Sequence, residues 1–133
     1  MTTLQEQFER DFPDKGVEVI RVGGKYLTSN FTNRDLDLRG IYENVEMLDL
    51  NTNGITSINL SGCKNLNILY LSYNSLTSVD FLNTIPNPEK LETLVISSNK
   101  IQPTDISVFS KFINLKILRM GLGSNKFYGS FKS

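Results

Sequence analysis

The sequence predicts an α/β repeat protein, in which one N-terminal helix precedes about five strand-and-return units. Three observations predict it. Leu66 to Leu76 reads L-x-x-L-x-L-x-x-N-x-L, and Leu69 and Leu71 alternate with Ile68, Tyr70 and Ser72 as side chains of a strand do. The same grammar returns before and after that stretch. Ahead of it, Thr3-x-x-Glu6 forms a capping box over a short stretch in which Leu4 and Phe8 share one helical face.

The copies are explicit. Val45, Leu48, Leu50, Asn53 and Ile55 repeat the pattern, as do Leu91, Leu94, Ile96, Asn99 and Ile101. Val17, Ile20, Val22 and Leu27 make a weaker copy with Lys25 in place of the asparagine. Leu115, Leu118 and Met120 open a fifth, which reaches Asn125 and Phe127 after a two-residue excess. Leu115 rather than Ile117 sets its register, because Asn114-Leu115 matches Asn65-Leu66 and Lys90-Leu91. The turn positions 25, 53, 74, 99 and 125 are 28, 21, 25 and 26 residues apart.

Across residues 17–127 the chain resembles the leucine-rich repeat family. The resemblance implies a right-handed solenoid with a concave parallel β-sheet of about five strands and an N-terminal helical cap. The Cys63-Lys64-Asn65-Leu66 and Phe81-Leu82-Asn83 segments look like those of large eukaryotic families of cytosolic repeat proteins. One repeat exposes an apolar row that it cannot bury alone. Stacking places Leu48, Leu69, Leu94 and Leu118 in one column and Leu50, Leu71, Ile96 and Met120 in the next. Asn53, Asn74 and Asn99 then form a ladder of amides. Lys25 offers no acceptor, so the first turn is expected to be wetter.

Taken in order, 1–16 is the cap, with the helix ended by Pro13 and Gly16. Residues 17–127 are the repeats of a single domain. On the return limbs, Leu36-Asp37-Leu38, Ile58-Asn59-Leu60 and Val79-Asp80-Phe81-Leu82 are candidates for short convex strands. Asp80 is placed to cap a turn through Ile85, and Thr104 or Asp105 a helix carrying Ile106, Phe109 and Phe112. Gly121 to Lys126 lacks the Gly-Lys-Ser/Thr end of a phosphate loop and reads as a flexible insertion. Residues 128–133 read as an uncapped tail.

Composition narrows the chemistry. Hydrophobic residues make up 39% and charged residues 21%, as in an ordinary soluble domain. No run approaches the ~18 to 20 apolar residues of a membrane span, and the polar N-terminus is no secretory signal. Cys63 is the sole cysteine, so an intrachain disulfide is impossible and a cytoplasmic location is expected. There is no histidine, which removes the commonest general base and metal ligand. No cofactor, metal or catalytic residue is expected. The sequons at Asn30 and Asn59 read as coincidental. The fourteen basic and fourteen acidic residues are unevenly placed: residues 1–50 carry six and ten, 51–99 two and three, 100–133 six and one. A solenoid turns that order into an acidic and a basic end.

The residues between buried strand positions carry the functional signal. Val19, Met47, Ile68, Thr93 and Ile117 form one outward column, and Arg21, Asp49, Tyr70, Val95 and Arg119 the next; Tyr73 lies beyond. The first is apolar although it faces water, which usually marks a contact site, and Tyr and Arg are enriched at binding hot spots. The expected function is a non-catalytic protein-interaction module that binds a protein partner on this face. The alternative is a self-associating fragment of a longer array, with a homodimer through the C-terminal end. Neither nucleic acid nor membrane is expected as a partner, since the face is not consistently basic.

Overall fold

Alternation about one buried residue makes each strand three residues long in the main sheet. The computed structural model describes residues 2–130. Its elements are α1 (Leu4–Asp11), β1 (Val19–Arg21), β2 (Asp35–Asp37), β3 (Met47–Asp49), β4 (Ser57–Asn59), β5 (Ile68–Tyr70), β6 (Thr93–Val95), β7 (Thr104–Asp105), β8 (Ile117–Arg119) and β9 (Phe127–Tyr128). β1, β3, β5, β6 and β8 pair in that order as one parallel sheet. Ile20, Leu48, Leu69, Leu94 and Leu118 lie in one row. The pairing of Leu94 with Leu118 means that Leu115 opens the fifth repeat.

Ile20, Leu48, Leu69 and Leu94 are fully buried, as are Leu50, Leu71 and Ile96 in the second column. Each such side chain contributes roughly 1.5 to 3 kcal/mol on burial. Leu118 and Met120 are only partly buried, because no described turn follows theirs.

The asparagine column holds the turns together. Asn74 Oδ1 accepts the N–H groups of Asn53 at 3.1 Å and Ile55 at 2.9 Å. Its Nδ2 donates to the carbonyls of Leu50 and Leu71, both at 3.0 Å, and of Ser72 at 3.2 Å. Asn53 serves Tyr26 N–H and Val22 O in the same way, and Asn99 serves Leu76 N–H and Leu71 O. Asn125 extends the column despite its two extra residues. It accepts from Ile101 N–H and donates to Ile96 O, while its own-turn contact reaches back five residues to Met120 O instead of three. The insertion from Gly121 is thus a wider turn, tied by Ser98 N–H to Gly121 O and by Ser124 N–H to Asn99 O.

The expectation of a wet first turn is corrected. Each asparagine completes the turn before its own, so the turn at Lys25 is completed by Asn53. Val22 and Tyr26 are buried, and the Lys25 ammonium leaves the core to meet Asp11 at 3.4 Å.

The N-terminal end is sealed by α1. Thr3 Oγ1 accepts from Glu6 N–H, and Leu4 and Phe8 enter the core. Gln5 lies against Asp37 of β2 as another strand would. Its Oε1 accepts Asp37 N–H at 2.7 Å and its Nε2 donates to Asp37 O at 2.8 Å. Phe8 packs against Phe12, Tyr26 and Tyr42 at ring separations of 5.1, 6.5 and 5.6 Å. Tyr26 donates its hydroxyl to Asp11 at 2.8 Å. Burial acts to raise the Asp11 pKa, but donors from Tyr26, Gln7 and Lys25 outweigh it and leave the carboxyl below its usual range.

Two of the three expected convex strands form: β2 and β4 pair in parallel, with Leu36 beside Ile58. The third candidate winds into a 3-10 helix, Asp80–Thr84. Asp80 does not cap it; Val79 holds the cap position without a side-chain bond, and Ser78 Oγ instead accepts Asp80 N–H. A strand is replaced because Phe81 and Leu82 are adjacent and both buried, which an alternating strand does not allow. Asp105 does cap the next turn by accepting from Ser107 N–H, but that turn is the 3-10 helix Ile106–Phe109. A glycine is required at Gly62, where a Cβ would collide with the carbonyls of Leu38 and Ile41.

At the other end, Tyr128 belongs to β9, which pairs with β7, rather than to a free tail. Phe112, at this end of the core, is buried. Phe131 lies outside the described residues.

Candidate functional site

Because successive side chains alternate, each short strand sends its middle residue inward and two flanking residues to the opposite face. The shared register aligns these flanking residues in two files. Val19, Met47, Ile68, Thr93 and Ile117 form the first; Arg21, Asp49, Tyr70, Val95 and Arg119 form the second. The sheet therefore brings together all ten strand residues singled out from the sequence. Met47, Ile68, Tyr70, Thr93 and Val95 are half-buried by neighbours on both sides. Val19 and Ile117, on the edge strands, are 47% and 46% exposed.

Tyr73 stands apart, in the turn after β5, with 62% of its surface exposed. Its φ is +57°, and Thr52 (+61°) and Ser98 (+57°) repeat this left-handed step just before their ladder asparagines. Sequence reasoning missed this strained column. The signal was Gly24, which occupies the same step in the first turn with φ +76°. A left-handed conformation costs a non-glycine residue about 1 to 2 kcal/mol. Thr52→Gly is therefore expected to stabilise the fold by roughly 0.5 kcal/mol, after glycine's extra unfolded-state entropy is subtracted. Urea unfolding measures it, and a lower midpoint would show that Thr52 packing outweighs backbone strain.

Beside Tyr73, the Ser72 hydroxyl oxygen is buried without a hydrogen-bond partner among the described residues. Its backbone N–H is held by Asn51 Oδ1 at 2.7 Å.

A second feature was not singled out from the sequence. Val19, Met47 and Ile68 form the floor of a groove of about 770 Å³ that runs along the strand starts. Glu46, Asn67 and Glu92 line it. Glu92 accepts from Asn67 Nδ2 at 2.6 Å and meets Lys116 Nζ at 2.6 Å. The Lys116 ammonium, with help from Asn67, holds the Glu92 carboxyl below its usual range. The legible signal was the residue preceding each strand: Glu18, Glu46, Asn67, Glu92 and Lys116.

Reactive groups are sparse. Cys63 is buried, and burial pushes its thiol up to about 12, so it is protonated at neutral pH. Among the described residues, no group of three or more Cys, Asp or Glu side chains could hold a metal ion, and no helix is long and apolar enough to cross a membrane.

Residues 64–111 match the family model described as leucine rich repeats in two copies. No curated protein and no solved structure matches the chain. The matched stretch contains β5 and β6 with the ladder residues Asn74 and Asn99, and the same ladder and register run through the remaining strands. Residues 64–111 of the chain are thus leucine-rich repeats.

Proposed function

We propose that the chain is a non-catalytic protein-interaction module that binds a protein partner across its concave sheet, in the cytoplasm. The observation that carries this reading is the aligned pair of files, in which apolar Met47 and Ile68 lie beside Tyr70 and Val95. Apolar and aromatic side chains in register offer a contiguous, rigid contact surface at low entropic cost. Val19, Arg21, Asp49, Thr93, Ile117 and Arg119 surround this centre, and Tyr73 overlooks it. The single, buried cysteine fits a reducing compartment.

The test is capture of a partner with wild type and with Ile68→Ser/Tyr70→Ala. Both positions are half-buried rather than core, so the double variant should fold and yet bind roughly ten-fold or more weakly. Unchanged affinity, with intact circular dichroism, would rule out the face as the contact site.

A second reading, a homodimer through the C-terminal end, draws on the partial burial of Leu115, Leu118, Met120 and Phe127. Light scattering across a dilution series decides it; a mass that stays monomeric removes it.

A further inference from the structure

We infer that the outer edge of β8 takes an acidic, extended polypeptide segment as a sixth strand. This edge adjoins the concave face, with Arg119 common to both, and its backbone and groove do not depend on binding there.

The backbone supplies the first argument. In each inner repeat the residue after the strand donates its N–H to the next strand: Leu50 to Tyr70 O at 2.9 Å, Leu71 to Val95 O at 2.7 Å, Ile96 to Arg119 O at 2.7 Å. Met120 holds that position after β8, and its N–H has no acceptor among the described residues. An edge strand with free donors pairs readily with another extended chain.

Shape supplies the second. Phe109, Phe112, Leu115 and Leu118 line a groove of about 920 Å³ at this end of the core. Within the solenoid, that space is filled by the inward leucine of the following repeat. An incoming strand with apolar residues at alternate positions fills it in the same way.

Charge selects the occupant. Residues 100–133 carry six basic residues against one acidic. Arg119 and Lys126 make no side-chain hydrogen bond or ion pair among the described residues, and Lys116 already shows the pairing available, with Glu92 on the neighbouring repeat. A second copy would bring a like charge to the same edge. A nucleic acid matches the charge but lacks alternating peptide donors and acceptors. An acidic strand satisfies all three conditions.

The chain's own residues 43–55 provide a probe, with Glu43, Glu46 and Asp49 outward and Leu48 and Leu50 inward. In the register of the sheet, Leu48 follows Leu118, with Glu46 beside Lys116 and Asp49 beside Arg119. A fluorescein-labelled synthetic peptide of this sequence is titrated with the full chain and read by anisotropy, with hydrogen exchange of the Met120 amide read in parallel. Saturable binding is expected, with the Met120 amide slowed at least ten-fold. A scrambled peptide of equal composition should bind at least ten-fold more weakly, and Arg119→Glu should weaken the native peptide by roughly ten-fold. Absence of saturation up to about 1 mM overturns the proposal. Equal binding of the scrambled peptide, or equal competition by oligothymidylate, overturns it in favour of charge alone. A wild-type dimer that protects Met120 without peptide overturns it in favour of self-pairing.

Discussion

Asn74→Ala is expected to lower the unfolding free energy by about 3 to 5 kcal/mol, which is exceptional for one substitution. The side chain makes five hydrogen bonds to the backbone of two turns. Truncation leaves the buried N–H groups of Asn53 and Ile55 without their acceptor, while Leu50 O and Leu71 O each keep one bond, from Asn53 and Asn99 Nδ2. Each unsatisfied group costs roughly 1 to 3 kcal/mol, and admitted water recovers part of the sum. The measurement is the urea midpoint at unchanged m-value. Asn125→Ala makes the internal comparison, because Asn125 is only half-buried and completes a single further turn. It should cost about a third as much. Equal effects at both positions would show that burial does not set the strength of the ladder.

Phe8→Ala is expected to cost about 3 to 5 kcal/mol, the range for removing a buried aromatic ring. Phe8 is fully buried and joins α1 to Phe12, Tyr26 and Tyr42. The loss should be local in its first consequence. Without the ring, the bonds of Gln5 to Asp37 and of Tyr26 to Asp11 lose the packing that holds their partners in place. Amide exchange in residues 4–12 and 35–37 should accelerate before that of β5 and β6. Phe8→Leu, which keeps most of the volume, should recover more than half the stability. A uniform rise in exchange along the whole chain would mean that cap and repeats unfold as one unit.

The leucine and asparagine columns were legible where smaller features were not, because they rest on different physics. Leu48, Leu69 and Leu94 were legible because strand period and repeat spacing both follow from side-chain direction. Asn53, Asn74 and Asn99 were legible because a recurring amide beside a turn has few other uses. The left-handed steps at Thr52, Tyr73 and Ser98 were hidden, since each is imposed by the ladder bonds around it and only Gly24 reveals it locally. Gln5 as a strand substitute was hidden for a related reason: its partner is 32 residues away, with no pattern linking the two. Lys25 misled because its position was judged by its own turn. On the candidate face, the two files followed from register, whereas the groove wall depended on long side chains such as Lys116 and Glu92 meeting across repeats.

The direction of the asparagine bonds makes the solenoid a sequence of dependencies. Asn53 finishes the turn of Val22, Asn74 that of Leu50, Asn99 that of Leu71 and Asn125 that of Ile96. Each of these four turns is completed by the asparagine of its successor. Excision of one unit between equivalent asparagines, such as 54–74, removes one completed turn and leaves its neighbours to complete each other. A cut within a unit orphans the turn before it. The molecule can thus lengthen or shorten by whole modules while its backbone chemistry stays closed, and the natural unit of variation is the interval from one ladder asparagine to the next.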